Sequence, residues 1–99
     1  MAKSKIVWSN RAIKRLYGIL EFYVQRSKSK SYSEKLYQFF QKEIKILLKF
    51  PETGLKTTEE YTRGIIIQDF IFYYQITDDK IFIHTVWDCR QNPDSKIIR

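Results

Sequence analysis

A chain of 99 residues with 43% hydrophobic and 16% aromatic content is too apolar to be disordered and long enough for one domain with a modest core. A net charge of +7 points to an anionic partner, and a single cysteine, Cys89, excludes an internal disulfide and fits a reducing cytoplasm. No apolar run reaches the roughly 18 residues of a membrane span, and residues 1–8 enter a strand-like run without a signal-peptide core, so no membrane role is expected.

The charge is uneven. Residues 1–50 hold twelve Lys/Arg against three Glu, a balance of +9, while residues 51–99 hold six against eight Asp/Glu, a balance of −2. A basic half favours nucleic acid or an acidic protein segment. Any single lysine is explained equally well as solvated helix surface, so charge alone names no site.

In chain order, residues 5–8 read as a short strand, and Ser9 as the cap of a following helix. Ile13, Leu16, Tyr17, Leu20 and Val24 recur at helical spacing and predict an amphipathic helix over 10–26. Gly18 inside it costs about 1 kcal/mol against alanine, which is either a tolerated imperfection or the mark of close packing against a neighbouring helix. The apolar-free run 26–31 breaks the pattern. Ser31 and Glu34 then stand in capping-box relation, opening a second helix over 32–49. Its inner face is Leu36, Phe40, Ile44 and Leu47, widened by Phe39, Leu48 and Phe50. Pro51 ends it, Pro51-Glu52-Thr53-Gly54 is a turn, and 55–60 is a polar loop.

From Tyr61 onward β-branched and aromatic residues dominate. Breaks at Gln68-Asp69 and at Thr77-Asp78-Asp79-Lys80 divide the stretch into strands over 62–67, 70–76 and 81–88, an antiparallel meander. The predicted fold is α+β in two layers, a single domain over 1–99. An N-terminal strand, an antiparallel helical hairpin and the three-stranded meander follow one another, with the hairpin covering one sheet face.

The chemistry-bearing residues are few. There is no Gly-rich phosphate loop, and one His with one Cys cannot hold a metal, so neither metal nor cofactor is expected. Cys89 lacks a matched base and is read as structural. Strict alternation puts Phe82, His84, Val86 and Asp88 on one sheet face and Ile81, Ile83, Thr85 and Trp87 on the other. His84 is a candidate general base, but a half-buried strand histidine with a hydrogen-bond partner is the plainer reading. If the meander brings the start of its first strand near the end of its last, Arg63 and Arg90 grip a phosphate together. Alternatively Arg63 pairs with an acid such as Asp88 and serves the fold.

Arg63 at a strand start, the aromatic Phe72-Tyr73-Tyr74, and a last strand running through Val86-Trp87-Asp88 into Arg90-Gln91-Asn92-Pro93 together resemble the RelE/ParE superfamily of type II toxins. The element order and the Pro-x-x-Gly turn at Pro51–Gly54 are similar too. The resemblance implies a cytoplasmic growth-inhibiting toxin that assembles with, and is neutralised by, a cognate antitoxin. In the mRNA-cleaving branch, arginines at the places of Arg63 and Arg90 would be catalytic, with ribosome and mRNA as partners and Lys49 and Lys56 as nucleic-acid contacts. The sequence departs from that branch. Ile71 stands where an arginine is frequent, Asp88 where many relatives have histidine, and no Tyr or His follows Pro93. The ParE branch, which poisons DNA gyrase by binding, is the nearer likeness. There Asp88, Arg90, Gln91 and Asn92 would contact the target. A degenerate member that binds antitoxin without toxicity is the remaining alternative.

Overall fold

The computed structural model describes residues 5–59 and 61–89. The elements are β1 (Lys5–Trp8), α1 (Asn10–Ser27), α2 (Lys30–Ile44), α3 (Ile46–Lys49), a 3-10 turn (Pro51–Thr53), β2 (Leu55–Lys56), β3 (Thr62–Ile67), β4 (Phe70–Ile76) and β5 (Lys80–Asp88). The strands form one five-stranded sheet in the order β1-β5-β4-β3-β2. The meander is antiparallel as expected, and β2 extends it antiparallel to β3. β1 runs parallel to β5, with Lys5 opposite Lys80 and Trp8 opposite Ile83. A parallel pair needs a long crossover, and the helices and the rest of the sheet lie between these two strands in the chain.

The helical hairpin covers one face. Phe40 of α2 sits edge-to-face on Phe70 and Phe72 of β4, with ring centroids 5.4 and 5.0 Å apart. Ala12, Leu16, Leu36, Ile44, Leu47, Ile81, Ile83 and Val86 complete this core. On the other face Ile71 and Tyr73 are also buried.

Five local expectations change. Helix α2 starts earlier than its Ser31–Glu34 box implies: Ser29 is the N-cap, accepting from the Ser31 amide at 3.1 Å, after Lys28 turns the chain through a left-handed conformation. The helical run over 32–49 divides at Lys45, although that residue stays in right-handed helical geometry. Two residues of the polar loop pair as β2, because Leu55 and Lys56 lie opposite Gly64 and Arg63. The buried face of α1 is centred on Ala12 and Leu16, leaving Ile13 and Tyr17 exposed, and Phe39 and Phe50 likewise stay outside the core. Finally, a β-bulge interrupts β5. Ile83 pairs with Tyr74 and Thr85 with Tyr73, so His84 is the extra residue. The added residue breaks strict alternation and lets Ile81, Ile83 and Val86 all join the core.

Gly18 is not a helix-packing glycine. A Cβ built there meets no atom within 4 Å apart from its own stretch of helix.

Candidate functional site

Arg63 opens β3 opposite Lys56 of β2 and Tyr74 of β4. Its Nη1 donates to the Gly54 carbonyl at 2.9 Å and to the Glu52 carbonyl at 3.3 Å. Nη2 lies 4.0 Å from the exposed Glu52 carboxylate. The acid it meets is therefore Glu52 rather than Asp88. Tyr74 closes the same turn from inside, donating to the Pro51 carbonyl at 2.6 Å and accepting from the Gly54 amide at 2.9 Å. Burial pushes the Tyr74 hydroxyl pKa up, against the lowering effects of the Gly54 bond and of Arg63. Gly54 is demanded by this closeness, since a Cβ there would lie 2.5 Å from the Tyr74 hydroxyl. The Pro-x-x-Gly turn is thus held by a tyrosine and an arginine acting on backbone groups.

The expected meeting of Arg63 with the end of the last strand does not occur. Arg63 is level with Tyr74 and hence Ile83, whereas Asp88 is level with Phe70 and hence Ile67. In an antiparallel meander, the start of the first strand lies beside the start of the third, not its end. Five residues along β5 separate the two levels, about 15 Å. Arg90, Gln91 and Asn92 lie outside the described residues.

Asp88 lines a groove of about 680 Å³ between α1 and the end of β5, with Arg15, Gly18, Phe22, Arg26 and Trp87 among its walls. The Arg15 guanidinium lies over the Trp87 ring, 3.7 Å from its centroid. Arg15 and Phe22 carry no motif, so the sequence candidates omit them; their only sequence signal is a seven-residue separation along one side of α1, while Trp87 enters the sequence reading only as part of the strand ending that carries the resemblance. At the far end of the meander, Lys56 and Arg63 share a smaller groove of about 460 Å³ with Glu52, Glu59 and Tyr61. Lys49 is exposed at the end of α3, apart from that lining. The two lysines are thus not brought together with Asp88.

His84 is half-buried and its Nε2 is 3.0 Å from Gln75 Oε1, as the plainer reading expects. Cys89 is exposed and forms no disulfide. Among the described residues no group of His, Cys, Asp and Glu is placed to hold a metal ion, and no helix is long and apolar enough to cross a membrane.

Residues 6–93 match the family model described as the ParE toxin of the type II toxin-antitoxin system, parDE. No curated protein matches the chain. Among solved structures, a chain of the chromosomal ParDE TA system from P. aeruginosa superposes with a TM-score of 0.70 at 19% identity, covering 86% of this chain and 94% of that one. That likeness supports the fold, and the family match spans nearly the whole sequence: the chain belongs to the ParE toxin family of type II toxin–antitoxin systems.

Proposed function

We propose that this ParE-family toxin arrests bacterial growth in the cytoplasm by binding DNA gyrase, without chemistry of its own, and that a cognate antitoxin neutralises it. The observation that carries this reading is the engagement of Arg63. A phosphate-gripping arginine must present free N–H groups to its substrate. Here Nη1 is spent on two turn carbonyls, Nη2 faces the Glu52 carboxylate at 4.0 Å, and the register sets the residue about 15 Å from the level of Asp88. Asp88 instead borders a groove of about 680 Å³ walled by aromatic and basic side chains, and Arg90-Gln91-Asn92 follow it in the sequence. Purified protein assayed on gyrase supercoiling and on ribosome-bound mRNA tests the reading. Inhibited supercoiling without mRNA cuts is expected. Ribosome-dependent cleavage with supercoiling untouched at the same dose overturns it.

For the antitoxin, the edge beyond β2 is the favoured seat. β2 pairs only with Arg63 and Gly64, and among the described residues no strand pairs with Ile65–Ile67 on that side. Ile46, Leu55 and Ile66 are 46%, 44% and 43% exposed, and all three line one groove there. An extended antitoxin segment can add to this edge and fill the groove with apolar side chains.

A further inference from the structure

We propose that the outer face of the helical hairpin is where two copies of this chain pair, α1 against α1. Between α1 and α2 lies a groove of about 500 Å³ whose walls include Tyr17, Leu20, Val24 and Tyr37. No strand contributes to it, and it shares no residue with the groove beside Asp88. Tyr17 is 61% and Tyr37 39% exposed, so two large rings stand on the surface beside an apolar floor. The Ser33 hydroxyl donates to the Leu20 carbonyl at 2.6 Å and fixes how far α2 is drawn along α1. Counting back from that bond along each helix, Tyr17 and Tyr37 come within about 2 Å of one level.

Charge selects the occupant. Glu21 and Glu34, two of the three Glu in residues 1–50, line the groove. They disfavour nucleic acid and acidic protein segments, the partners that the basic half attracts elsewhere. A surface carrying the same pattern reversed is favoured, and α1 itself carries it. Lys14, Tyr17 and Glu21 follow one another at intervals of three and four residues and are all exposed, so they form one line along the helix. Lys14 lies about 5 Å before Tyr17 along the axis, and Glu21 about 6 Å after it. A two-fold axis crossing α1 near Tyr17 lays a second α1 antiparallel over the first. It brings Glu21 of each copy against Lys14 of the other and gathers the tyrosines at the centre, as a self-complementary interface requires. Both charges are available for this. Among the described residues neither Lys14 nor Glu21 forms an ion pair within the chain. Gln25 Nε2 donates to Glu21 Oε1 at 2.9 Å, which steadies the carboxylate and leaves its second oxygen for a lysine.

The test is sedimentation equilibrium of the full-length protein over a concentration series in about 0.15 M salt. There the Debye length of ~8 Å screens the mutual repulsion of two +7 chains but not pairs in contact. A reversible monomer–dimer equilibrium is expected. Lys14→Glu and Glu21→Lys each set like charges together twice per dimer and should weaken association on the order of tenfold or more. An equimolar mixture of these two variants should associate again, because opposite charges face each other at both contacts of the mixed dimer. Tyr17→Lys should abolish the dimer while leaving the melting temperature of dilute monomer within a few degrees of wild type, since the ring is exposed. A wild type that stays monomeric up to about 1 mM overturns the proposal, as does a dimer indifferent to the single charge swaps or not recovered in the mixture. A monomeric wild type whose antitoxin affinity falls in Tyr17→Lys would assign the groove to the antitoxin instead. The measurement needs neither gyrase nor growth arrest, so its failure is distinguishable from failure of the toxin reading.

Discussion

Tyr74 is completely buried, and its hydroxyl joins both ends of the Pro51–Gly54 turn. Tyr74→Phe leaves the Gly54 amide and the Pro51 carbonyl without this partner. A stability loss of about 1–3 kcal/mol is expected in denaturant titration. Gly54→Ala forces the ring aside in a packed core and is expected to cost a similar ~1–3 kcal/mol, for a steric rather than a polar reason. The two losses should not add, because both changes break the same contact. The hydroxyl also predicts a pH dependence. Its folded pKa is raised above the ordinary 10.0, chiefly by burial. The unfolded state therefore ionises first as pH rises, and the stability present below pH 10 is lost through the window above it. Thermal melts should show a steeper decline above pH 10 in the wild type than in Tyr74→Phe.

At the level of elements, caps and a bulge set how the layers meet. Ser9 has two tasks: its hydroxyl accepts from the Ala12 amide at 3.0 Å and donates to the His84 carbonyl at 2.6 Å. It caps α1 and ties that helix to the bulge of β5. Ser9→Ala should cost about 1–2 kcal/mol. Ser9→Thr should retain most of the stability. Ser9→Asp should not, because a carboxylate caps the helix but cannot donate to the His84 carbonyl. Equal melting temperatures for the Thr and Asp variants would show the second bond to be unimportant. For α2 the cap assignment is tested in the same way. Ser29→Ala should cost about 1 kcal/mol, and Ser31→Ala should stay within about 0.5 kcal/mol of wild type.

For the whole molecule, a basic N-terminal half and an open sheet edge bear on partnership. With +9 in residues 1–50, association with an acidic antitoxin should be electrostatically steered. Its association rate should fall steeply with salt, whereas a rate indifferent to salt would refute steering. Ile66→Lys places a charge on the exposed edge of β3. A folding stability within about 1 kcal/mol of wild type is expected, together with a clear loss of antitoxin affinity by calorimetry. Growth should then stay arrested when this variant is co-expressed with an antitoxin that rescues the wild type.

Much of the fold was legible before any coordinates, because it rests on periodicity. Helical spacing marks α1, apolar runs split by polar breaks mark β3, β4 and β5, and Pro51 marks the helix end. Signals of that kind are local, and so is the ending that resembles the ParE family. What periodicity misjudged was the choice between competing local options. Ser31 and Ser29 are both competent caps, and the left-handed turn at Lys28 selects Ser29. Ile13 and Tyr17 satisfy helical spacing as well as Ala12 does, yet it is Ala12 that the tertiary packing places in the core. A bulge adds a residue without a compositional mark, so strict alternation in β5 misplaces Val86. The site was least legible because proximity across a sheet depends on register. Arg63 and Asp88 look like partners along the chain, but antiparallel pairing sends them to opposite ends of the meander. The sequence alone determined most of the elements and the likeness to the family. Only the tertiary structure decided that Arg63 is bound into a turn, and that Asp88 borders a groove with arginines and aromatics from a helix more than sixty residues earlier.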